Sequence, residues 1–272
     1  MGLDWMLKDK PVEGKEDRVA EIREELEDID QDSDRAVTLK AELDSITVSA
    51  PETLGAPRVG IDANATEWFR GVYERNHKEV VEATPEERKR GNQGFYEFWS
   101  KPFEECLEAE KGKFVIDLTD YKLSTVTGMV GPPTSFRGKC IGYAECISEE
   151  LQGEAYEDHD PDEMIDYSIR LFAAVAEYLK EKLPEHFADV DEETLIELND
   201  GLRHEAHEVW LAATKGKTET AEQWIASNDA MQKWESSLPP EKKLISACSD
   251  VIDGARWLRF WGEKGHGYWA WS

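Results

Sequence analysis

Residues 160–184, DPDEMIDYSIRLFAAVAEYLKEKLP, decide the fold class. Asp160, Pro161 and Glu163 form a helix-start signature. The aspartate can accept from free amides, proline sits where no amide hydrogen is needed, and the glutamate can reach back. Apolar residues then return at Ile165, Ile169, Phe172, Val175 or Ala176, Leu179 and Leu183, near the 3.6-residue period of an α-helix. Pro184 stops the pattern.

The same grammar recurs on both sides. Downstream, helices are predicted over 192–214 (Leu195, Leu198, Leu202, Ala206, Val209), 218–236 (Ala221, Trp224, Ile225, Met231, Trp234) and 240–261 (Leu244, Ile245, Cys248, Val251, Ile252, Ala255, Trp257, Leu258). Upstream, Val19, Ile22, Leu26 and Ile29 form one stripe, and Val37, Leu39, Leu43 and Ile46 a second. Gln31-Asp32-Ser33-Asp34 between them reads as the turn of an antiparallel pair. Asn64 with Glu67, and Thr84-Pro85-Glu86-Glu87, are further helix starts. Phe95, Phe98 and Trp99, then Phe103, Cys106 and Leu107, give another helix that Pro102 bends or restarts.

The middle is different. Phe114–Leu118 and Ser124–Val130 read as short strands, and Gly128, Gly131, Gly138 and Gly142 with Pro132-Pro133 break the chain into turns. The expected fold is mainly α (α+β), a multi-helix domain with a small central β/Gly-rich segment. A helical hairpin is expected over 1–48, a connector over 49–61, and a main helical domain over 62–272 that carries the β-containing segment 112–148.

The formal charge is −27, and it is concentrated: residues 149–214 hold twenty Asp/Glu against four Lys/Arg. Hydrophobic residues at 40% and aromatics at 10% support a folded globule despite that charge. Acidity of this size opposes direct contact with nucleic acid or an anionic membrane and favours a basic protein partner. High-salt adaptation is disfavoured by 19 Lys against 13 Arg; ordinary solvated helix faces are the plainer source of the acidity. No 18-residue apolar run predicts a membrane span, and the start lacks a basic-then-apolar secretion signal. Gly2 is not followed by Ser or Thr at position 6, as myristoylation requires. Four Cys are too few for a disulfide scaffold, which leads to the expectation of a cytoplasmic protein.

Two polar groups could carry chemistry. Glu197, Asp200, His204 and His207 recur at spacings of three, four and three, so they share one side of a helix, with Glu205 and Glu208 close by. Asp200, His204 and His207 are the candidate ligands for a divalent metal, and Glu205 or Glu208 the candidate base. The two His are three apart, unlike HExxH, so further ligands would come from Asp158, His159, Asp162, Asp117 or Asp120. The bland alternative is a wet helix face. The second group is the turn 127–139, where Arg137 and Lys139 could hold an anionic substrate among backbone amides. It is not a GxxxxGK[ST] loop, and a tight β connection explains it equally well. Cys140 and Cys146 lie in no nucleophile or zinc-knuckle context. The aromatic tail, Trp257 to Trp271, is expected to complete the core together with Trp5.

The sequence therefore supports a non-enzymatic acidic binding protein that engages a protein partner. The alternative is a metal-dependent hydrolase acting on a small anionic substrate through the 197–208 helix face.

Overall fold

The computed structural model describes residues 4–118, 144–214 and 221–271. It is mainly α, with two small two-stranded sheets. The chain divides into two compact units, one formed by Met1–Lys10 with Leu123–Ser272, the other by Pro11–Lys122. Strand β1 (Asp4–Leu7) opens the former. No helix among the described residues is long and apolar enough to cross a membrane.

The Pro11–Lys122 unit starts where β2 (Lys10–Pro11) pairs with β3 (Thr47–Val48). Between them, α1 (Glu16–Asp28) and α2 (Asp34–Ile46) form a helical pair within the 11–122 unit. Ser33 caps α2 by accepting from the amide of Ala36 at 3.1 Å. Val19 and Ile22 face Ala36 and Leu39 in its buried seam, whereas Val37 is 61% exposed. The small Ala36 sets the phase of α2, one residue earlier than a count of large apolar side chains suggests. Arg18–Glu42 and Arg35–Glu25 pairs (both 2.7 Å) bridge the helices on their exposed side, where such pairs contribute little.

After α3 (Ala50–Thr53), α4 (Ala63–Glu82) starts one residue before Asn64. Its N-cap is Asp62, whose carboxylate accepts from the Arg58 amide at 2.6 Å. The expected box at Asn64 and Glu67 is therefore replaced. The Thr84–Glu87 box is complete and opens α5 (Pro85–Arg90). Pro102 restarts the helix: α6 (Gln93–Trp99) ends before it, and α7 (Phe103–Glu110) begins just after it. Val59, Ala65, Phe69, Cys106 and Val115 form the core here, surrounded by Trp68, Tyr73, Trp99 and Phe103. Phe114 contributes an isolated bridge to Arg58, and Ile116–Leu118 turn as a 3-10 helix, so no strand forms over 114–118. The candidate strand 124–130 lies outside the described residues.

In the other unit, α8 (Glu149–Glu154), α9 (Pro161–Lys182) and α10 (Pro184–Phe187) lead into α11 (Glu192–Thr214), α12 (Ala221–Ser237) and α13 (Pro240–Glu263). Helix α13 is its axis, buried along Ile245, Cys248, Val251, Ile252, Ala255, Trp257, Leu258 and Trp261. Helix α9 presents Met164, Tyr167, Ser168, Leu171, Val175 and Leu179 to the interior. Ile169, expected inside, is 46% exposed, because Ser168 takes the inward position and donates to the Ala255 carbonyl at 2.7 Å. The two helices approach closely at Gly262, where a Cβ would lie 2.8 Å from Ile165 Cγ1 and 2.8 Å from the Pro161 carbonyl.

Gly265, at φ +81°, turns the chain out of α13 into β4 (Tyr268–Trp271), which pairs antiparallel with β1 in the register Trp5↔Ala270 and Leu7↔Tyr268. The Trp5 ring is fully buried, 5.7 Å from that of Trp257 and 5.1 Å from that of Tyr268, and its Nε1 donates to the Ala155 carbonyl at 3.0 Å. Burying such a ring contributes about 4–6 kcal/mol before entropy is charged against it. Trp257 and Trp261 share that interior, while Trp269 is 43% exposed. The aromatic tail thus divides between core and surface.

Candidate functional site

Helix α11 carries an apolar stripe that a polar side chain interrupts. Leu195 and Leu202 are buried, and so is Asn199 between them. On the facing α13, Asp253 is buried within the run Val251–Ala255, as is Ser249 one turn earlier. A buried polar group must find a partner, and these find each other. The Ser249 hydroxyl donates to Asn199 Oδ1, and Asn199 Nδ2 donates to Asp253 Oδ1 at 2.7 Å. Arg203, one turn further along α11, donates through Nη2 to Asp253 Oδ2 at 2.7 Å and to Asp250 Oδ1 at 3.0 Å. Burial pushes the Asp253 carboxyl above its ordinary range, against the pull of the Arg203 guanidinium.

The outer edge of the same helix pair is laced by ions. Glu192 pairs with Arg259 at 2.8 Å, Asp200 with Arg256, and Glu205 with Lys242. Two members of the candidate metal and base set, Asp200 and Glu205, therefore already face cations of α13. His207 stacks on Trp210 of its own helix, with ring centroids 5.9 Å apart, while His204 and Glu208 are exposed. Of the further candidate ligands, Asp158 accepts from the Ala270 amide at 2.9 Å. His159 is buried against Tyr167 and Tyr268, in the core and not in a cleft. Among the described residues, no three His, Cys, Asp or Glu side chains converge to hold a metal. Arg137, Lys139 and Asp120 lie outside the described residues, as does the side chain of Asp117.

What α11 and α13 do enclose is a cleft of about 230 Å³. Phe187, Leu198, Leu202 and Ile245 line it with apolar surface, and Gly201 leaves it open from the α11 side, since a Cβ there would meet nothing within 4 Å. Glu197, Glu205 and Glu241 stand at the rim with Lys242. No protein-family model, curated protein or solved structure matches the chain. Beyond Leu202, a second polar recess of about 210 Å³ is lined by Arg203, Trp234, Glu235, Ser249 and Asp250. Arg203, Ser249 and Asp250 of the network thus line this recess, and Leu202 borders both it and the cleft.

Asn199 and Asp253 were legible as odd residues in the sequence. Each occupies the helical phase of apolar neighbours, Asn199 at i+4 from Leu195 and Asp253 at i+8 from Ile245 and four residues before Trp257. Leu198, read as core, is 42% exposed at the cleft because Asn199 takes the inward position beside it.

Proposed function

We propose that this chain is a binding protein, and that the cleft between α11 and α13 receives a basic, partly apolar segment of a protein partner. The observation that carries this reading is the pairing of an apolar floor (Phe187, Leu198, Leu202, Ile245) with a rim of three carboxylates against one lysine, itself paired to Glu205. At about 230 Å³ the cleft is smaller than the roughly 300–1,000 Å³ usual for small-molecule sites. It suits one anchoring side chain of a larger partner. The surrounding acid adds long-range attraction for a cationic segment and opposes nucleic acid.

The test is titration with a helical Lys/Leu peptide and its Glu/Leu counterpart, followed calorimetrically at low and high salt. The Lys/Leu peptide binds, its affinity falling at least about tenfold when salt screens the rim; the Glu/Leu peptide does not. Gly201→Leu fills the opening and abolishes binding while the helix content stays unchanged. Binding that survives Gly201→Leu, or that is indifferent to salt, removes the cleft from consideration. A hydrolytic role through Asp200, His204 and His207 would draw its remaining ligands from beyond the described residues, and no geometric observation favours it.

A further inference from the structure

We propose that Cys146 and Cys248 form a peroxide-responsive dithiol that closes to a disulfide when a small neutral hydroperoxide enters the cavity they share. Cys146 lies in the turn ahead of α8 and Cys248 on α13, 102 residues apart in sequence, and both are buried free thiols. Together with Glu145, Tyr178 and Ala247 they line a cavity of about 290 Å³. The two thiols line the same cavity in hydrogen-bonding contact with each other, the proximity that a bridge between them requires.

That contact makes the pair asymmetric. Cys248, donating to its neighbour and buried, holds its proton well above the ordinary thiol range, and the same hydrogen bond brings Cys146 below it against the cost of burial. Cys146, which also borders an open recess that Cys248 does not line, is the nucleophile and Cys248 the resolving thiol. Access is chemically selective. Cys146 and Tyr178 also border an open recess of about 600 Å³ that carries Glu145, Glu150, Glu177 and Glu181. Its one guanidinium among the described residues, Arg170, is engaged by Glu154 and Asp166. Carboxylates repel an anionic oxidant such as glutathione disulfide and leave an uncharged peroxide unhindered.

The chemistry balances. The Cys146 thiolate attacks one peroxide oxygen and breaks the O–O bond, giving a sulfenic acid and water once the departing hydroxide is protonated. Cys248 then attacks that sulfur, its proton leaving with the expelled hydroxide as a second water. Two thiols lose one electron each, and the peroxide is reduced by two.

The full chain is treated with hydrogen peroxide or glutathione disulfide, alkylated, and mapped by mass spectrometry. Peroxide removes about 2 Da, the two thiol hydrogens, and yields a Cys146–Cys248 cross-linked peptide; glutathione disulfide yields none. Cys248→Ala leaves a sulfenic acid on Cys146 that dimedone traps, and Cys146→Ala leaves Cys248 fully alkylated. The proposal is overturned if both thiols of the unmutated chain stay alkylatable after peroxide, if Cys146 bridges to Cys140 or Cys106 instead, or if glutathione disulfide bridges the pair as fast as peroxide. The map of the unmutated chain decides even where a variant does not fold.

Discussion

Two glycines in helices ask opposite things of a substitution. Gly262 lies where α13 meets α9, and an added methyl must displace Ile165 and a backbone carbonyl. Gly262→Ala is expected to cost about 1–3 kcal/mol through overpacking, despite the better helix propensity of alanine. Gly201 has open space over its Cβ position, so Gly201→Ala should stabilise by about 0.5–1 kcal/mol. Urea denaturation of both variants reads the contrast. Opposite signs would tie Gly201 to the openness of the cleft, whereas a destabilising Gly201→Ala would contradict the geometry described for α11.

At the scale of elements, the α11–α13 pair is held by polar groups as much as by leucines. Asp253→Ala leaves the Asn199 amide without its acceptor and Arg203 with only Asp250, an expected loss of about 2–4 kcal/mol in urea unfolding. A loss below about 0.5 kcal/mol would mean that the network carries no such weight. Periodicity made these helices readable because long runs such as Ile245 to Leu258 repeat faithfully. What it missed was phase where a small or polar residue takes the inward position: Ala36 instead of Val37, Ser168 instead of Ile169, Asn199 instead of Leu198. Those choices are settled by what faces each residue on another helix, which no local window contains. The ion-pair partners of Asp200 and Glu205 were hidden for the same reason, since Arg256 and Lys242 lie far along the chain.

For the whole molecule, pH acts through a few groups whose environments oppose one another. His266 is fully buried, places Nδ1 2.9 Å from the Lys8 carbonyl, and burial depresses its pKa below the usual 6.5. The unfolded chain therefore binds a proton more readily below pH 6.5, so the contribution of this residue is complete above that value and is lost as pH falls toward the folded pKa. Thermal melts between pH 7 and 5 should show a downward slope that His266→Asn, which can still donate to Lys8, flattens. Identical slopes would show the histidine uncoupled from folding. Further into acid, Glu25 and Glu42, held low by Arg35 and Arg18, lose their stabilising charge in turn, while Asp253, raised by burial, acts in the opposite sense.

The pairing of β1 with β4 also imposes an order of events on biosynthesis. Asp4–Leu7 leaves the ribosome ahead of everything in the 11–122 unit, yet its partner strand and the rings that enclose Trp5 are translated after that unit. The Trp5 indole must wait for those rings while the intervening unit has all its residues available to fold first. A holdase that shields Asp4–Leu7 until then would raise the yield of native protein without touching any finished surface.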